Sequence, residues 1–248
     1  MPGPYSDEFL FAVDRTVTQE RLKRYRAATN GSLPKALELY EINVQLSSLL
    51  FGLLHGIEVS LRNAEHLALS KSYGTEFWYE APQCPEFGMP GERCEGPQWH
   101  AYAPLTEYWK DKVTAAKKKA GLGKNPGKVI AELSFGFWVD LLRKQNNMPL
   151  WVGRKLNLAF PHTKHTRGEI HERMKEIQQL RNRIAHHQRI VSWSGSVYNG
   201  CKYLKLDEIV ESVDWICPHT AHWIRQEFHF AEASELLARI QRMGVRLQ

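Results

Sequence analysis

Apolar positions recur every three or four residues along most of this chain, which is the spacing that places them on one face of an α-helix. The longest such stretch begins with Pro34, a residue suited to a first helical turn, and runs to about Ser72. Gly74 then suits the end of a helix. Gly52 and Gly56 leave open whether this stretch is one helix or two. Its apolar positions are Leu37, Tyr40, Val44, Leu46, Leu50, Leu54, Ile57, Leu61, Ala64 and Leu67.

Shorter helices are predicted on both sides of this stretch. Ser6 and Thr18 carry the side chains that commonly start helices, and the second of these helices should end near Ala28. Further helices are predicted at residues 102–120, 128–143, 167–188, 207–213 and 218–243. Convincing strand patterns and repeats of 20–50 residues are lacking in the sequence. The pattern therefore predicts an all-α fold.

The predicted organisation is one domain over residues 1–248 with an irregular insertion near residues 75–100. Residues 5–74 supply the N-terminal helices and residues 101–248 supply the others, including the helix at 167–188. Proline and glycine are frequent in this insertion and disfavour regular structure. The insertion is therefore either a lid or a simple insertion. These residues are Pro82, Pro85, Gly88, Pro90, Gly91, Gly96 and Pro97.

Composition and charge indicate the kind of partner and the cellular compartment that we expect. The chain has 248 residues, of which 43% are hydrophobic, enough to bury a core. Its 33 basic and 27 acidic residues give a net charge of +6, which favours an anionic partner without identifying it. Four scattered cysteines indicate a reducing compartment. With no leader pattern and no sufficiently long apolar run, we expect a cytoplasmic protein without a membrane partner.

Candidate chemistry is concentrated near the end of the helix predicted at 167–188. Arg181 supplies a permanent planar cation that suits a phosphate. His186 can take and give a proton near neutral pH, and the amide of Asn182 can orient either partner. On a helix Asn182 and His186 share a face, and Arg181 lies about 140° around from His186. The opposite positions Leu180 and Ile184 are apolar and should anchor the helix.

These residue types can break an RNA backbone without a metal ion. His186 would deprotonate the 2′-hydroxyl or protonate the leaving 5′-oxygen, and Arg181 would stabilise charge on the phosphoryl oxygens. The products would be a 2′,3′-cyclic phosphate and a 5′-hydroxyl. Two proton transfers need a second group, either His187 or another copy of the motif in a symmetric dimer, and we favour the dimer. Alternatively, Arg181 and His186 form an internal hydrogen-bond network that closes the helix.

Residues 180–190, LRNRIAHHQRI, resemble the motif of Abi-like (abortive infection) bacterial proteins, which are members of the HEPN superfamily with its Arg-x4–6-His signature. The resemblance covers roughly residues 18–230. It departs at Gln188, where glutamate is common in the family and where a related branch carries a tyrosine that is modified with a nucleotide, so that regulation is not expected here. Other segments that agree in order are Arg21-Leu22 with Tyr25, residues 39–43, residues 57–63 and residues 127–138.

The resemblance implies an α-helical domain that often dimerises through its motif helices. It also implies a metal-independent endoribonuclease used against phage, or a toxin restrained by a partner that in some members is a structured RNA. Carried onto this chain, Arg181 and His186 are the catalytic positions, with Asn182 as the polar residue after the arginine. We predict a homodimeric ribonuclease without a cofactor. The alternatives are a non-catalytic protein that holds a structured non-coding RNA, and a purely structural dimerisation module.

Supporting roles are predicted for residues near and far from the motif. His187 adjoins the proposed catalytic histidine. Glu58 or Asn63 could pack against the motif and orient Arg181. The simpler interpretation is an ion pair between Glu58 and Arg62, which are four residues apart on one helix.

Basic residues outside the catalytic set are candidates for RNA contacts, although each could also lie on a solvated loop or helix face. They are Arg183, Lys164, Arg167, Lys117, Lys118 and Lys119. Histidines and cysteines with ligand-like spacing do not supply four well-spaced zinc ligands, so no metal site is expected. These residues are His162, His165, Cys217, His219, His222, Cys84 and Cys94.

Overall fold

The computed structural model describes residues 5–80, 107–121, 125–151, 153–192 and 196–245. These residues form eleven α-helices and one small two-stranded sheet, which confirms the all-α prediction. The helices are α1 (Asp7–Val17), α2 (Gln19–Ala28), α3 (Leu33–Tyr73), α4 (Glu107–Lys119), α5 (Pro126–Glu132), α6 (Phe135–Leu141), α7 (Lys155–Ala159), α8 (Arg167–Ala185), α9 (Leu206–Asp214), α10 (Pro218–Glu227) and α11 (Phe230–Arg242). The predicted insertion lies outside the described residues from residue 81 onward.

The first three helices follow local signals in the sequence. The hydroxyl of Ser6 accepts the N–H of Phe9 at 3.2 Å, and the hydroxyl of Thr18 accepts the N–H of Arg21 at 3.4 Å, so both residues cap helices as predicted. Helix α3 is one helix of 41 residues that continues through both of its interior glycines. It ends before Gly74, whose φ of +68° is the conformation that glycine adopts without strain.

The predicted apolar face of α8 is buried. Ile170, Met174, Ile177 and Leu180 have no exposed surface, and Ile184 is 6% exposed. This burial on a four-three-three-four spacing fixes the rotation of the helix about its axis. The polar positions next to these residues are thereby directed away from the core.

Two predicted helices are each divided in the structure. The stretch at 128–143 forms α5 and α6, because Leu133 is extended and the hydroxyl of Ser134 caps a new helix at the N–H of Phe137, 3.3 Å away. The stretch at 218–243 forms α10 and α11, with His229 between them in the left-handed conformation at φ +57°. In both cases the apolar periodicity continues across a local break that the periodicity alone does not reveal.

Short elements were not predicted. Helix α7 has only five residues, and a 3-10 turn at Trp78–Glu80 follows α3. A 3-10 turn at Lys144–Asn146 and a π-helical turn at Asn147–Trp151 follow α6. Strands β1 (Val197–Tyr198) and β2 (Tyr203–Leu204) pair antiparallel, with Val197 opposite Leu204. Two residues per strand are too few to produce a detectable alternation.

Backbone contacts group the chain into two compact units. The first comprises Met1–Leu54, Gln179–Ile209 and Trp223–Gln248, and the second comprises His55–Gln178 and Val210–His222. The sequence motif at Arg181 to His187 belongs to the first unit. The prediction of one domain over residues 1–248 stays a prediction.

Helix α3 is the one helix in the described part of the chain that is long and apolar enough to cross a membrane. This is weak evidence for a membrane protein, because the core helix of a soluble protein has the same length and composition. Its residues Leu46, Leu50 and Leu61 have no exposed surface within the protein. The cytoplasmic location stays a prediction.

Candidate active site at the end of helix α8

Helix α8 ends in a Schellman cap. The N–H of Gln188 donates to the carbonyl of Arg183 at 2.8 Å, and the N–H of His187 donates to the carbonyl of Ile184 at 2.9 Å. His187 has a φ of +53°, a conformation that glycine usually supplies at this position. The chain therefore leaves the helix after Ala185, three residues before the predicted end.

Arg21 of helix α2 contacts this cap directly. Its Nη1 donates to the carbonyl of His187 at 2.6 Å. Hydrogen bonds from a charged donor are shorter and stronger than neutral ones, and a cation is favourable beside the carbonyls at the end of a helix. The guanidinium of Arg21 therefore stabilises the left-handed residue that ends the motif helix.

Asn43 of helix α3 fixes the chain just beyond the cap. Its side-chain oxygen accepts the N–H groups of Ile190 at 2.8 Å and Val191 at 3.2 Å. Asn43 is only 4% exposed, and both apolar residues are fully buried. Since a buried N–H needs an acceptor, this one side chain satisfies two backbone groups that leave the helix end.

Arg183 and Arg189 also hold the chain beyond the end of α8. The Nε and Nη2 of Arg183 donate to the carbonyl of Arg189 at 3.1 and 2.8 Å. Both guanidinium groups lie over the ring of Tyr198, 5.1 and 5.2 Å from its centroid. Gly200, at φ +107°, leaves room for the guanidinium of Arg183, because a Cβ at position 200 would lie 3.1 Å from its Nη1. The predicted RNA contact of Arg183 stays a prediction.

Several arginines interact electrostatically in the same region. Burial lowers the pKa of both Arg183 and Arg189, and the charge of Arg24 in α2 lowers both pKa values further. Burial also raises the pKa of Tyr25, so that its hydroxyl stays neutral at physiological pH. Several guanidinium groups thus lie close enough to interact electrostatically around the end of α8.

The residues predicted to be catalytic lie on the solvent-facing side of this helix end. Asn182, His186 and His187 are exposed, and Arg181 is half-buried. The N–H of His186 donates to the carbonyl of Asn182 at 3.0 Å, so His186 continues the helical hydrogen bonding by one residue. His187 then turns into the left-handed conformation. An imidazole and an amide are therefore presented to solvent at a helix end that long-range hydrogen bonds hold.

The three supporting residues predicted in α3 belong to the second unit. Arg62 donates from Nε to the side-chain oxygen of Asn63 at 3.2 Å. Glu58 is half-buried. The predicted effect of Glu58 or Asn63 on the orientation of Arg181 stays a prediction.

The other basic candidates also lie in the second unit and differ in their surroundings. Arg167 donates to the carbonyl of Leu142, and Lys117 forms an ion pair with Glu80. Both therefore have structural partners. The others are exposed, and their RNA contacts stay predictions; these residues are Lys164, Lys118 and Lys119.

Histidines near the start of α8 make protein contacts. The ring of His165 lies 4.7 Å from that of Trp215, and the Nδ1 of His165 is 3.8 Å from a carboxylate oxygen of Glu169. Across the described ranges, no group of three histidine, cysteine or acidic residues is arranged to hold a metal ion. Cys84 and Cys94 lie outside those ranges.

Residues that frame the motif were not among the predicted site residues. Arg21 and Asn43 are 166 and 147 residues away from the backbone groups that they bind. Both lie in segments that carry the family resemblance, at residues 21–25 and 39–43, which is the signal that could have identified them. Arg189 and Tyr198 follow the motif closely, but their stacking depends on the hairpin of β1 and β2.

Comparison with known protein families places most of the chain in a family. The family model described as Abi-like protein matches residues 6–192. This range covers most of the chain, from the cap of α1 through the motif helix to the residues held by Asn43. No curated protein and no solved structure matches the chain. The chain belongs to the family of Abi-like proteins and is thus an abortive-infection-related protein.

Proposed function

We propose that this protein is a metal-independent endoribonuclease of the HEPN type that acts in defence against phage. The observation that carries the proposal is the presentation of His186 to solvent, five residues after Arg181, at a helix end that Arg21 and Asn43 hold in place. Catalytic groups act best when the surrounding structure fixes their position before the substrate binds. The match to Abi-like proteins supports a role related to abortive infection.

The proposed reaction is an internal transesterification of RNA. The 2′-oxygen attacks the adjacent phosphorus while its proton passes to a base, and the bond from phosphorus to the 5′-oxygen breaks as that oxygen receives a proton. His186 performs one of these transfers, and Arg181 stabilises the negative charge on the non-bridging oxygens. Asn182 orients the phosphate or the imidazole. DNA is not cleaved, because it has no 2′-hydroxyl.

A second copy of the chain would supply the other proton transfer. Within one chain His187 has a positive φ, so its backbone does not continue the helical path of His186. A two-fold symmetric dimer brings the same surface of both copies together and so pairs two motifs. We propose a homodimer with its composite site between two copies of the end of α8.

The proposal is tested by incubating a total RNA or tRNA pool with the purified protein in the presence of EDTA. Wild type is compared with Arg181→Ala, His186→Ala and the control His222→Ala, which removes an exposed histidine from the second unit. Wild type and the control should release fragments with 2′,3′-cyclic phosphate ends. His186→Ala should lose at least about 100-fold in rate, the usual contribution of a general acid or base. Arg181→Ala should lose about 100-fold or more as well, the usual contribution of a group that stabilises charge in the transition state.

Two results would contradict the nuclease proposal. Cleavage at equal rates by wild type and His186→Ala would exclude this histidine. Tight RNA binding by all the variants without any cleavage would favour a protein that holds a structured RNA. Phage plating on cells that express wild type or His186→Ala then tests the role in defence, which should be lost with the histidine.

A further inference from the structure

Helix α2 presents two exposed arginines beside the end of the motif helix. Arg21 and Arg24 are three residues apart, so their side chains project from the same side of α2. The bond from Arg21 to the carbonyl of His187 places this side of α2 against the helix end that carries His186. That bond uses one N–H of a group that has five, so Arg21 retains donors for a ligand.

The other cations of α2 are neutralised by carboxylates. Lys23 lies 3.6 Å from Glu20, and Arg26 lies 3.5 Å from Asp14. Arg24, in contrast, makes no ion pair or hydrogen bond within the part of the chain that the structure describes. Arg21 and Arg24, the two arginines on this side of α2, are thus the cations of the helix that have no carboxylate partner among the described residues.

The charged groups that interact with Arg24 are also positive. Arg24 lowers the pKa of Arg183 and of Arg189, a repulsion that acts in addition to the effect of their burial. These two arginines are committed to the carbonyl of Arg189 and to the ring of Tyr198. Their positive charges add to those of Arg21 and Arg24, which are exposed and can contact a ligand. Adjacent like charges are unfavourable for the folded protein alone, and a bound polyanion relieves them.

We propose that Arg24, together with Arg21, binds phosphodiester groups of an RNA strand next to the bond that is cleaved. This inference rests on the proposed function and adds a substrate-binding surface, formed by helix α2, to the motif of α8. Guanidinium groups match the geometry of phosphate oxygens and remain charged at every physiological pH. Neither residue takes part in proton transfer. Arg21 also holds the helix end that carries His186, so Arg24 is the residue whose loss should affect binding and not the chemical step.

The test measures binding of a fluorescent single-stranded RNA by anisotropy over a range of salt concentrations. All proteins carry His186→Ala, so that the probe stays intact. Arg24→Ala is compared with Lys23→Ala, which removes the same charge from the adjacent position of the same helix. Arg24→Ala should reduce the slope of log K against log salt by about 0.7, the value for one phosphate contact, and weaken binding about fivefold at 0.1 M salt. Lys23→Ala should change both much less.

A conservative variant separates charge from geometry. Arg24→Lys should keep most of the salt slope, because the charge remains, but should bind more weakly than arginine because an ammonium lacks the two-pronged donor geometry. Equal effects of Arg24→Ala and Lys23→Ala would mean that only net charge matters and would overturn the proposal. Absence of RNA binding by the parent protein would overturn it as well.

Cleavage assays distinguish this proposal from the nuclease proposal. With His186 restored, Arg24→Ala should raise KM about fivefold with an unchanged kcat, since one phosphate contact is lost. A loss of kcat at unchanged KM would overturn the binding role. If the wild type cleaves no RNA while the difference between Arg24→Ala and Lys23→Ala in binding persists, the nuclease proposal fails and the RNA-binding surface is supported.

Discussion

The guanidinium of Arg21 donates to the carbonyl of His187 at 2.6 Å and so connects the second helix of the chain to the residue that ends its eighth helix. His187 has a φ of +53°, where most side chains collide with their own backbone. The structure therefore places a strained residue directly after the proposed catalytic His186 and stabilises it from a helix 166 residues earlier. The cap position depends on a long-range contact as well as on the local sequence.

The first prediction concerns the coupling of these two residues. Arg21→Ala should lower the free energy of unfolding by about 1 kcal/mol, since it removes one hydrogen bond. His187→Gly should raise it by about 1 kcal/mol, because glycine has no left-handed penalty. Chemical denaturation of both single variants and the double variant measures the coupling between them. The loss from Arg21→Ala should be smaller when glycine occupies position 187.

Lys23→Ala provides the control for general effects of removing a charge from α2. Strict additivity of the two substitutions would show that the hydrogen bond of Arg21 and the left-handed strain of His187 are energetically independent, which would contradict the predicted coupling.

The second prediction concerns Asn43. Asn43→Ala removes the acceptor of two buried N–H groups, those of Ile190 and Val191. Because unsatisfied buried donors are costly, we expect a loss of about 2–4 kcal/mol in the free energy of unfolding. Amide hydrogen exchange at these two residues should accelerate by more than exchange within α8. Gln45→Ala, at an exposed position of the same helix, should change neither. Equal stability of the two variants would refute the role of Asn43.

The third prediction concerns Glu65 in α3. Its side chain has no exposed surface, and neither carboxylate oxygen has a hydrogen-bond partner among the described residues. Burial raises its pKa well above the usual value of 4.5. The folded protein thus keeps the proton that the unfolded chain releases. The contribution of Glu65 to the free energy of unfolding is therefore most favourable below pH 4.5, and it falls as the pH rises from there to the folded-state pKa.

Glu65→Gln should remove this dependence, because an amide does not ionise. The variant should therefore gain stability over wild type as the pH rises above 4.5, with a slope of about 1.4 kcal/mol per pH unit over the affected range. Denaturation at several pH values checks this. Glu227→Gln, at an exposed position of α10, is the matched control. A difference between Glu65→Gln and wild type that is constant with pH would contradict a buried neutral carboxyl.

Local capping residues located several helix ends, whereas the apolar period did not locate the breaks within two predicted helices. The helix starts at Ser6 and Thr18 and the stop at Gly74 follow from side chains within three residues of each end. The apolar face of α8 also matched its prediction, because inward positions of a helix repeat at a fixed period. By contrast, the breaks at Ser134 and His229 lie within continuous apolar patterns. Periodicity reports which face is buried and does not report where one helix gives way to the next.

Sequence patterns alone predicted the all-α class, a helix that leads into the Arg181 to His186 motif, and the apolar face that anchors this helix. These depend on helical period and local capping, which act within a few residues. Tertiary contacts were needed to show that α8 ends at Ala185, that Asn43 accepts the hydrogen bonds of the chain beyond it, and that Arg24 interacts electrostatically with the half-buried Arg183 and the buried Arg189. Such contacts join residues about 150 positions apart, and their energies depend on burial and distance, which no local pattern encodes.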